Sequence, residues 1–252
     1  MSRIRTFIFG VYLSLTTLLV GGFGALALPF GLRRGARLVT RTWAQCALFG
    51  LKLICGVSHV IKGEQLPEGP AIVAANHQSM WETIAFFALA KKPAMIFKKE
   101  LMNVPVYGWY GRLAGSIPID RDAGPRAIKT LAALAAERLA EGCQIIVFPE
   151  GTRARLGEKL PLQPGVAAIY KSAAVSVTPA LHDSGRCWRS PGGLFSRKEP
   201  GVITLTVLPA IEGSLDRKVF QARLEAALGP RDVMGLDSAD VAMLAPAEGR
   251  PA

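Results

Sequence analysis

Residues 7–32 carry no charged side chain and are bracketed by Arg3 and Arg5 before them and by Arg33, Arg34 and Arg37 after them. Such a run is long enough to enter or cross a bilayer, which takes roughly 20 apolar residues. Gly21, Gly22, Gly24 and Pro29 weaken one straight helix and suit a bend, or a hairpin dipping into a single leaflet. The pattern leaves spanning and dipping both open. Ala25-Leu26-Ala27 resembles a signal-peptide cleavage site, but the run outlasts a typical signal core and more apolar sequence follows. Residues 43–57 continue with helical spacing and Lys52 as their one charge, which reads as an amphipathic or membrane-lying helix. Residues 1–57 are therefore expected to form a hydrophobic helical membrane anchor.

From residue 58 the pattern changes to short apolar or β-branched runs separated by helical periods. Strands are expected at 59–62, 71–75, 94–98, 116–119, 144–148, 175–180 and 202–208. The clearest helix covers 125–141, with Pro125 suited to a first turn, Ile128, Leu131, Leu134, Ala135 and Leu139 on one face, and Gly142 as the stop. A second is expected from Ser214, a good N-cap, to about Leu228. Alternating strands and helices predict an α/β domain over 58–228 whose largely parallel central sheet is flanked by helices. The tail over 229–252 is rich in Ala, Pro, Gly and Asp without sustained period and is expected to be loosely ordered.

Composition sharpens this picture. Half of the 252 residues are hydrophobic, enough for one sizeable core and too little chain for two full domains. A formal net charge of +11 implies an acidic partner: nucleic acid, an anionic membrane surface or a phosphorylated substrate. The apolar N-terminus selects membrane lipids over nucleic acid. Basic residues are denser after residue 32 than before residue 7, so if the run spans a membrane the following domain is expected on the cytoplasmic side. Cys46, Cys55, Cys143 and Cys187 form no CxxC pair, so neither a disulfide nor a metal site is inferred.

Two segments carry candidate chemistry. Asn76-His77-Gln78-Ser79-Met80-Trp81-Glu82 follows an expected strand and opens an apolar helix, a place where α/β sheets often hold their active groups. An imidazole can take a proton from a hydroxyl near neutral pH if a carboxylate fixes its tautomer. His77 and Glu82 would point apart on one ideal helix, so pairing requires His77 to lie on the preceding turn. Ser79 and Glu82 have capping-box spacing, which starts the helix at Ser79 and leaves His77 outside it. The same spacing admits a plainer account, in which Glu82 only caps the helix and His77 is a turn residue. In Phe148-Pro149-Glu150-Gly151-Thr152-Arg153, Pro149 and Gly151 force a turn at a strand end, Glu150 is suited to substrate hydroxyls, and Arg153 matches a phosphate. Lys98, Arg121 and Arg153 follow three expected strands. A phosphate among them would gain charge-assisted bonds of roughly 1.5–3 kcal/mol each, although the same cations also suit a basic rim facing anionic lipid.

Four blocks occur in order: Asn76-His77-Gln78-Ser79 with Glu82; Lys98-Lys99-Glu100-Leu101 with Pro105, Gly108 and residues 115–121; Phe148 to Arg153; and Val177-Thr178-Pro179-Ala180. Over roughly 58–208 they resemble the glycerolipid acyltransferases, and within these the bacterial 1-acyl-sn-glycerol-3-phosphate (lysophosphatidic acid) acyltransferases. The resemblance implies transfer of an acyl group to the sn-2 hydroxyl of 1-acyl-glycerol-3-phosphate, with His77 as general base oriented by Glu82. It also implies that Arg121, Glu150, Gly151, Thr152 and Arg153 line the acceptor site, that acyl-CoA or an acyl carrier protein is the donor, and that no cofactor is required. For a bacterial member it implies the inner membrane. The family's usual acid five residues after the histidine is Asp, and Glu82 departs from it. His182 follows the fourth block and could approach the site, although a surface-loop histidine is the plainer account. Another lysolipid acceptor, such as a lyso-ornithine lipid, fits the same chemistry. A serine hydrolase is disfavoured because no G-x-S-x-G elbow is present and His59, His77 and His182 are the only histidines. A non-enzymatic basic domain that binds membrane or nucleic acid is the alternative of another class.

Overall fold

A computed structural model describes residues 2–189 and 193–229; all of the expected loose tail beyond Gly229 lies outside the described residues. The strands are β1 (Val57–Gly63), β2 (Ala71–Ala75), β3 (Pro93–Lys98), β4 (Ile117–Ile119), β5 (Gln144–Val147), β6 (Val177–His182) and β7 (Gly201–Val207). They match the seven expected strands to within a residue or two and form one sheet in the order β1-β7-β6-β2-β5-β3-β4. Every pairing is parallel except β6 with β7. The central strands β2 and β5 are buried at every position, which is why they read as unbroken apolar runs and not as alternation.

The helices are α1 (Ser2–Gly24), α2 (Leu32–Cys55), α3 (Trp81–Leu89), α4 (Tyr107–Ala114), α5 (Pro125–Ala140), α6 (Pro164–Ala173), the single turn α7 (Ser184–Cys187) and α8 (Arg217–Leu228). Strand alternation divides the core in two. Val73, Ala75, Met95 and Ile146 pack with Leu51 of α2 and Phe86 of α3, whereas Ile72, Ala74, Ile145 and Val147 pack with Leu131 and Ala135 of α5, Ile169 of α6 and Phe220 of α8. Helix α5 buries Leu131, Ala135 and Leu139 of its expected face. Helix α8 begins later than expected: its cap is Asp216, which accepts from the Lys218 N–H at 2.8 Å, and not Ser214. The neighbouring Leu215 N–H is held by the Tyr170 hydroxyl at 2.8 Å, which ties this stretch to α6 before the helix can start.

The N-terminal segment differs most from expectation. Helix α2 starts at Leu32, well before residue 43, and a 3-10 turn at Ala25–Phe30 joins it to α1. Cys55 Sγ lies 3.6 Å from the Arg5 carbonyl oxygen, the Tyr12 hydroxyl donates to Cys46 O at 3.0 Å, and the Trp43 indole N–H donates to Thr17 Oγ1 at 2.9 Å. These contacts run in opposite order along the two helices, which makes α1–α2 an antiparallel hairpin. Phe9 and Leu13 of α1 join the same core as Ala44, Ala47 and Leu51 of α2. Residues 2–55 thus form a helical hairpin packed against the sheet domain. Helix α1 is long and apolar enough to cross a membrane, and its outer face exposes Phe7, Val11, Leu15, Leu18 and Phe23.

Gly50 lets the two helices meet: a Cβ there would lie 2.0 Å from Tyr12 Cε1. Gly50→Ile is expected to lower stability by roughly 1–3 kcal/mol and to speed proteolytic release of α1. A variant with wild-type melting temperature and wild-type cleavage would show that the hairpin is not packed in this way.

Candidate active site

Strands β6, β2, β5, β3 and β4 are adjacent and mutually parallel, so all five deliver their carboxyl ends to one edge of the sheet. In parallel α/β sheets that edge is where sites are built. The first three sequence blocks lie at the ends of β2, β3, β4 and β5, and the fourth lies within β6. Their convergence is a consequence of sheet order, since β5 inserts between β2 and β3.

His77 lies on the turn between β2 and α3. Its Nδ1 is 2.8 Å from Glu82 Oε1, and its ring stacks on Phe148 with centroids 4.5 Å apart and planes 17° from parallel. Glu82 sits in the first turn of α3 and is fully buried. Its Oε1 also accepts from the Gln78 and Ser79 N–H groups at 2.7 and 2.6 Å; its Oε2 accepts from the Ser79 and Ser184 hydroxyls at 2.8 and 2.9 Å. Burial opposes the Glu82 charge, but the imidazoles of His182 and His77 and the surrounding donors outweigh it and hold the carboxyl well below the usual range. Capping and pairing are therefore not alternatives. Ser79 Oγ accepts from the Trp81 N–H at 3.0 Å while Glu82 accepts from the Ser79 N–H; these bonds precede a helix that begins at Trp81, two residues later than the spacing placed it, and the same carboxylate orients His77.

The segment after β5 grips His77 from the other side. With Ala74 opposite Val147, the β2–β5 register brings residue 77 level with residue 150. The His77 N–H donates to Glu150 Oε2 at 2.8 Å, and the His77 carbonyl accepts from the Ala154 N–H at 2.8 Å. Glu150, expected to meet substrate hydroxyls, is buried and accepts from the histidine backbone through Oε2. Gly151 has φ +72°, a left-handed conformation that a side chain would strain, and it turns the chain so that Thr152 and Arg153 reach the cavity.

That cavity has a volume of about 970 Å³. His77, Lys98, Gly151, Thr152 and Arg153 stand on its wall; most of the rest is apolar, from Leu13, Leu18 and Trp43 of the hairpin to Ile128, Leu131 and Val166 of α5 and α6. Tyr107 also lines it, with its phenol pushed up to about 12 by burial against the opposing charge of Arg153. Lys98 is half exposed, and its Nζ lies 3.6 Å from Glu100. Arg121 opens the 3-10 turn Arg121–Ala123 directly after β4, on the same sheet edge.

His182 overturns its surface-loop expectation. It ends β6 and is fully buried, and its Nε2–H donates to the Asn76 carbonyl at 2.7 Å. The Asn76 side chain returns two bonds, accepting from the His182 N–H at 2.9 Å and donating to its carbonyl at 2.8 Å. Burial pushes the His182 pKa down against the pull of Glu82, and the carbonyl facing Nε2 places a proton on that nitrogen. The ends of β2 and β6 are thereby locked beside His77. Ser184 was not singled out from sequence, and no local spacing pointed to it. Its link to Glu82 spans more than a hundred residues.

A family model described as acyltransferase matches residues 58–183. A 1-acyl-sn-glycerol-3-phosphate acyltransferase of Pseudomonas aeruginosa is 32% identical over 229 residues, covering 88% of this chain and 87% of its own. The chain belongs to the acyltransferase family. The alpha form of 1-acyl-sn-glycerol-3-phosphate acyltransferase from Mus musculus is 29% identical across 74% of this acyltransferase and 66% of its own length. The crystal structure of the 1-acyl-sn-glycerophosphate acyltransferase PlsC from Thermotoga maritima has the same fold, with a TM-score of 0.73 over 90% of this chain and 95% of that one at 22% identity.

Burial raises the Glu150 carboxyl from 4.5 to about 7, against the lowering by the His77 N–H. Between those values the folded acyltransferase retains a proton that the unfolded chain has lost, so stability falls as pH rises through the window, by about 3 kcal/mol in all. Glu150→Gln is expected to remove this slope. Chemical denaturation at pH 4.5, 6 and 7.5 in detergent checks it; equal slopes in variant and wild type would contradict the burial of the charge.

Proposed function

We propose that this acyltransferase moves a fatty acyl group from an acyl thioester to the free sn-2 hydroxyl of 1-acyl-glycerol-3-phosphate, making phosphatidic acid. The observation that carries the reading is His77: its Nδ1 is committed to a buried, ionised Glu82, and it stands on the wall of a large apolar cavity that also holds Arg153. With Nδ1 occupied, Nε2 is the nitrogen left to take a proton. In the proposed step Nε2 removes the acceptor hydroxyl proton as the oxygen bonds to the thioester carbonyl carbon. The carbon–sulfur bond then breaks, and the departing thiolate takes the proton from the imidazolium. Glu82 stabilises the transient cation and keeps the tautomer fixed.

The acceptor phosphate is assigned to Arg153 and Thr152, with Lys98 and Arg121 on neighbouring strand ends of the same edge; a guanidinium fork suits phosphate geometry. The donor is acyl-CoA or an acyl carrier protein, and no cofactor takes part. The apolar wall suits the acyl chain. We further propose that the exposed face of α1 rests in the bilayer surface, since its inner face is held along α2, and that the site opens toward the cytoplasmic side of a bacterial inner membrane. A lysolipid with another head group would use the same imidazole, and the cations on the sheet edge favour the phosphate-bearing one.

Offering the purified protein a labelled acyl thioester with lysophosphatidic acid and, in parallel, a phosphate-free lysolipid tests the acceptor assignment. Product from the first alone is expected; product from the second alone would reject the phosphate assignment. His77→Ala is expected to lower kcat by on the order of 10³-fold, with membrane partition unchanged, and substantial retained turnover would reject the base. Arg153→Ala is expected to raise the acceptor KM roughly 10- to 100-fold, whereas a rise confined to the thioester KM would move Arg153 to the donor side.

A further inference from the structure

We propose that Ser184, on the turn after β6, is a positioning residue for the catalytic pair: its hydroxyl fixes the inner oxygen of Glu82 and so holds the acid in the orientation that meets His77. The inference rests on His77 as the base and Glu82 as the acid that orients it.

The two oxygens of Glu82 have different sets of partners. Oε1 meets His77 Nδ1 and the Gln78 and Ser79 amides, all from the turn that carries the histidine; among the described residues, the hydrogen-bond donors to Oε2 are the Ser79 and Ser184 hydroxyls. Ser79 has one proton for two acceptors, Glu82 Oε2 and Ser184 Oγ, each at 2.8 Å, and its oxygen already accepts the Trp81 N–H. The second hydroxyl proton of this cluster belongs to Ser184, whose Oγ is 2.9 Å from Oε2. The other β6 group beside the acid does not replace it: His182 Nε2 lies 3.9 Å from Oε2 and gives its proton to the Asn76 carbonyl at 2.7 Å.

Ser184 can hold the acid because it is itself held. Its carbonyl accepts from the Trp188 N–H at 2.8 Å, and the Gly185 N–H donates to Gln78 Oε1 at 3.1 Å. The preceding Asp183 carboxylate accepts from the Thr204 N–H of β7 at 2.7 Å and from the Arg186 guanidinium at 2.9 Å. The turn is thereby seated on β7 and on the His77 turn at once. Ser184 is fully buried and stands off the wall of the 970 Å³ cavity, so any effect on turnover passes through Glu82. The last torsion of a glutamate side chain is broad. Gripped at one oxygen, the carboxylate can swing about that bond and carry Oε1 off the imidazole; gripped at both, it cannot.

The test measures steady-state turnover, melting temperature and the ¹H NMR resonance of the His77 Nδ1 proton in Ser184→Ala, Ser184→Cys, Glu82→Asp and the Glu82→Asp/Ser184→Ala double variant. Ser184→Ala is expected to lower kcat by about 5- to 30-fold with both KM values within about twofold, and to shift or broaden the Nδ1 resonance. Ser184→Cys, close in volume but a weaker donor, is expected to fall between it and the wild type. In the Glu82→Asp background the Ser184 bond is already stretched, so adding Ser184→Ala is expected to cost less than about threefold more. Losses in the double variant that equal the product of the two single losses would overturn the proposal. So would a Ser184→Ala kcat less than about threefold below wild type with the resonance unmoved, or an acceptor KM raised with kcat intact. Should Ser184→Ala melt below the assay temperature, Ser184→Cys decides by the same two readouts: wild-type kcat with an unmoved resonance overturns the proposal. The resonance needs no substrate. Full turnover in His77→Ala beside a shifted resonance in Ser184→Ala would therefore place the failure in the base assignment, and an unmoved resonance would place it in Ser184.

Discussion

The site depends on one fully buried carboxylate. Ionised and inaccessible, Glu82 is tolerable only because His77, the Gln78 and Ser79 amides and the Ser79 and Ser184 hydroxyls all converge on it. An isolated charge in that position would cost several kcal/mol. The helix start adds to the donors, since the first turn of α3 favours a negative group. Helix initiation, the β2 turn and imidazole orientation are thus a single arrangement. A disturbance to any one of them reaches the other two.

Strand order explains how so short a chain surrounds that carboxylate. The His77 turn leaves the middle of the sheet, with β5 on one side and β6 on the other. From β5 comes the turn that holds the histidine backbone; from β6 come His182, clamped to Asn76, and Ser184, bonded to the acid. Both neighbours run parallel to β2, so their exits lie at its own level. An antiparallel strand at either place would present its carboxyl end at the opposite edge of the sheet.

Much of the architecture was legible because local rules suffice for it. Apolar runs gave all seven strands, Pro125 and Gly142 framed α5, and the spacing of Ser79 and Glu82 located the turn that frees His77. What escaped was non-local. Nothing near His182 reveals that it is buried against Asn76, because the two meet only when β6 pairs with β2. Ser184 is invisible for the same reason. Glu150 has the composition of a turn residue facing substrate, and only the β2–β5 register turns it toward the His77 amide. Helix α2 starts earlier than the apolar spacing from residue 43 suggests because Arg33, Arg34, Arg37 and Arg41 interrupt the apolar pattern, although the helix runs through them. Arg37 donates to the Ala114 carbonyl at 3.1 Å and lies 3.8 Å from the Glu141 carboxylate, contacts that tie α2 to the domain without ending the helix.

The departure from Asp at position 82 becomes intelligible in this setting. Glu82 reaches back from the first turn of α3, and its extra methylene lets one oxygen meet His77 while the other turns inward to Ser79 and Ser184. A shorter acid on the same backbone would withdraw by roughly one carbon–carbon bond, about 1.5 Å. It could then keep the amides of the turn or the imidazole, but it would stretch the bond to Ser184. The longer acid and the serine on α7 therefore belong together in this chain. Through Ser184, the turn after β6 becomes a support of the catalytic pair although it contributes no group to the cavity wall.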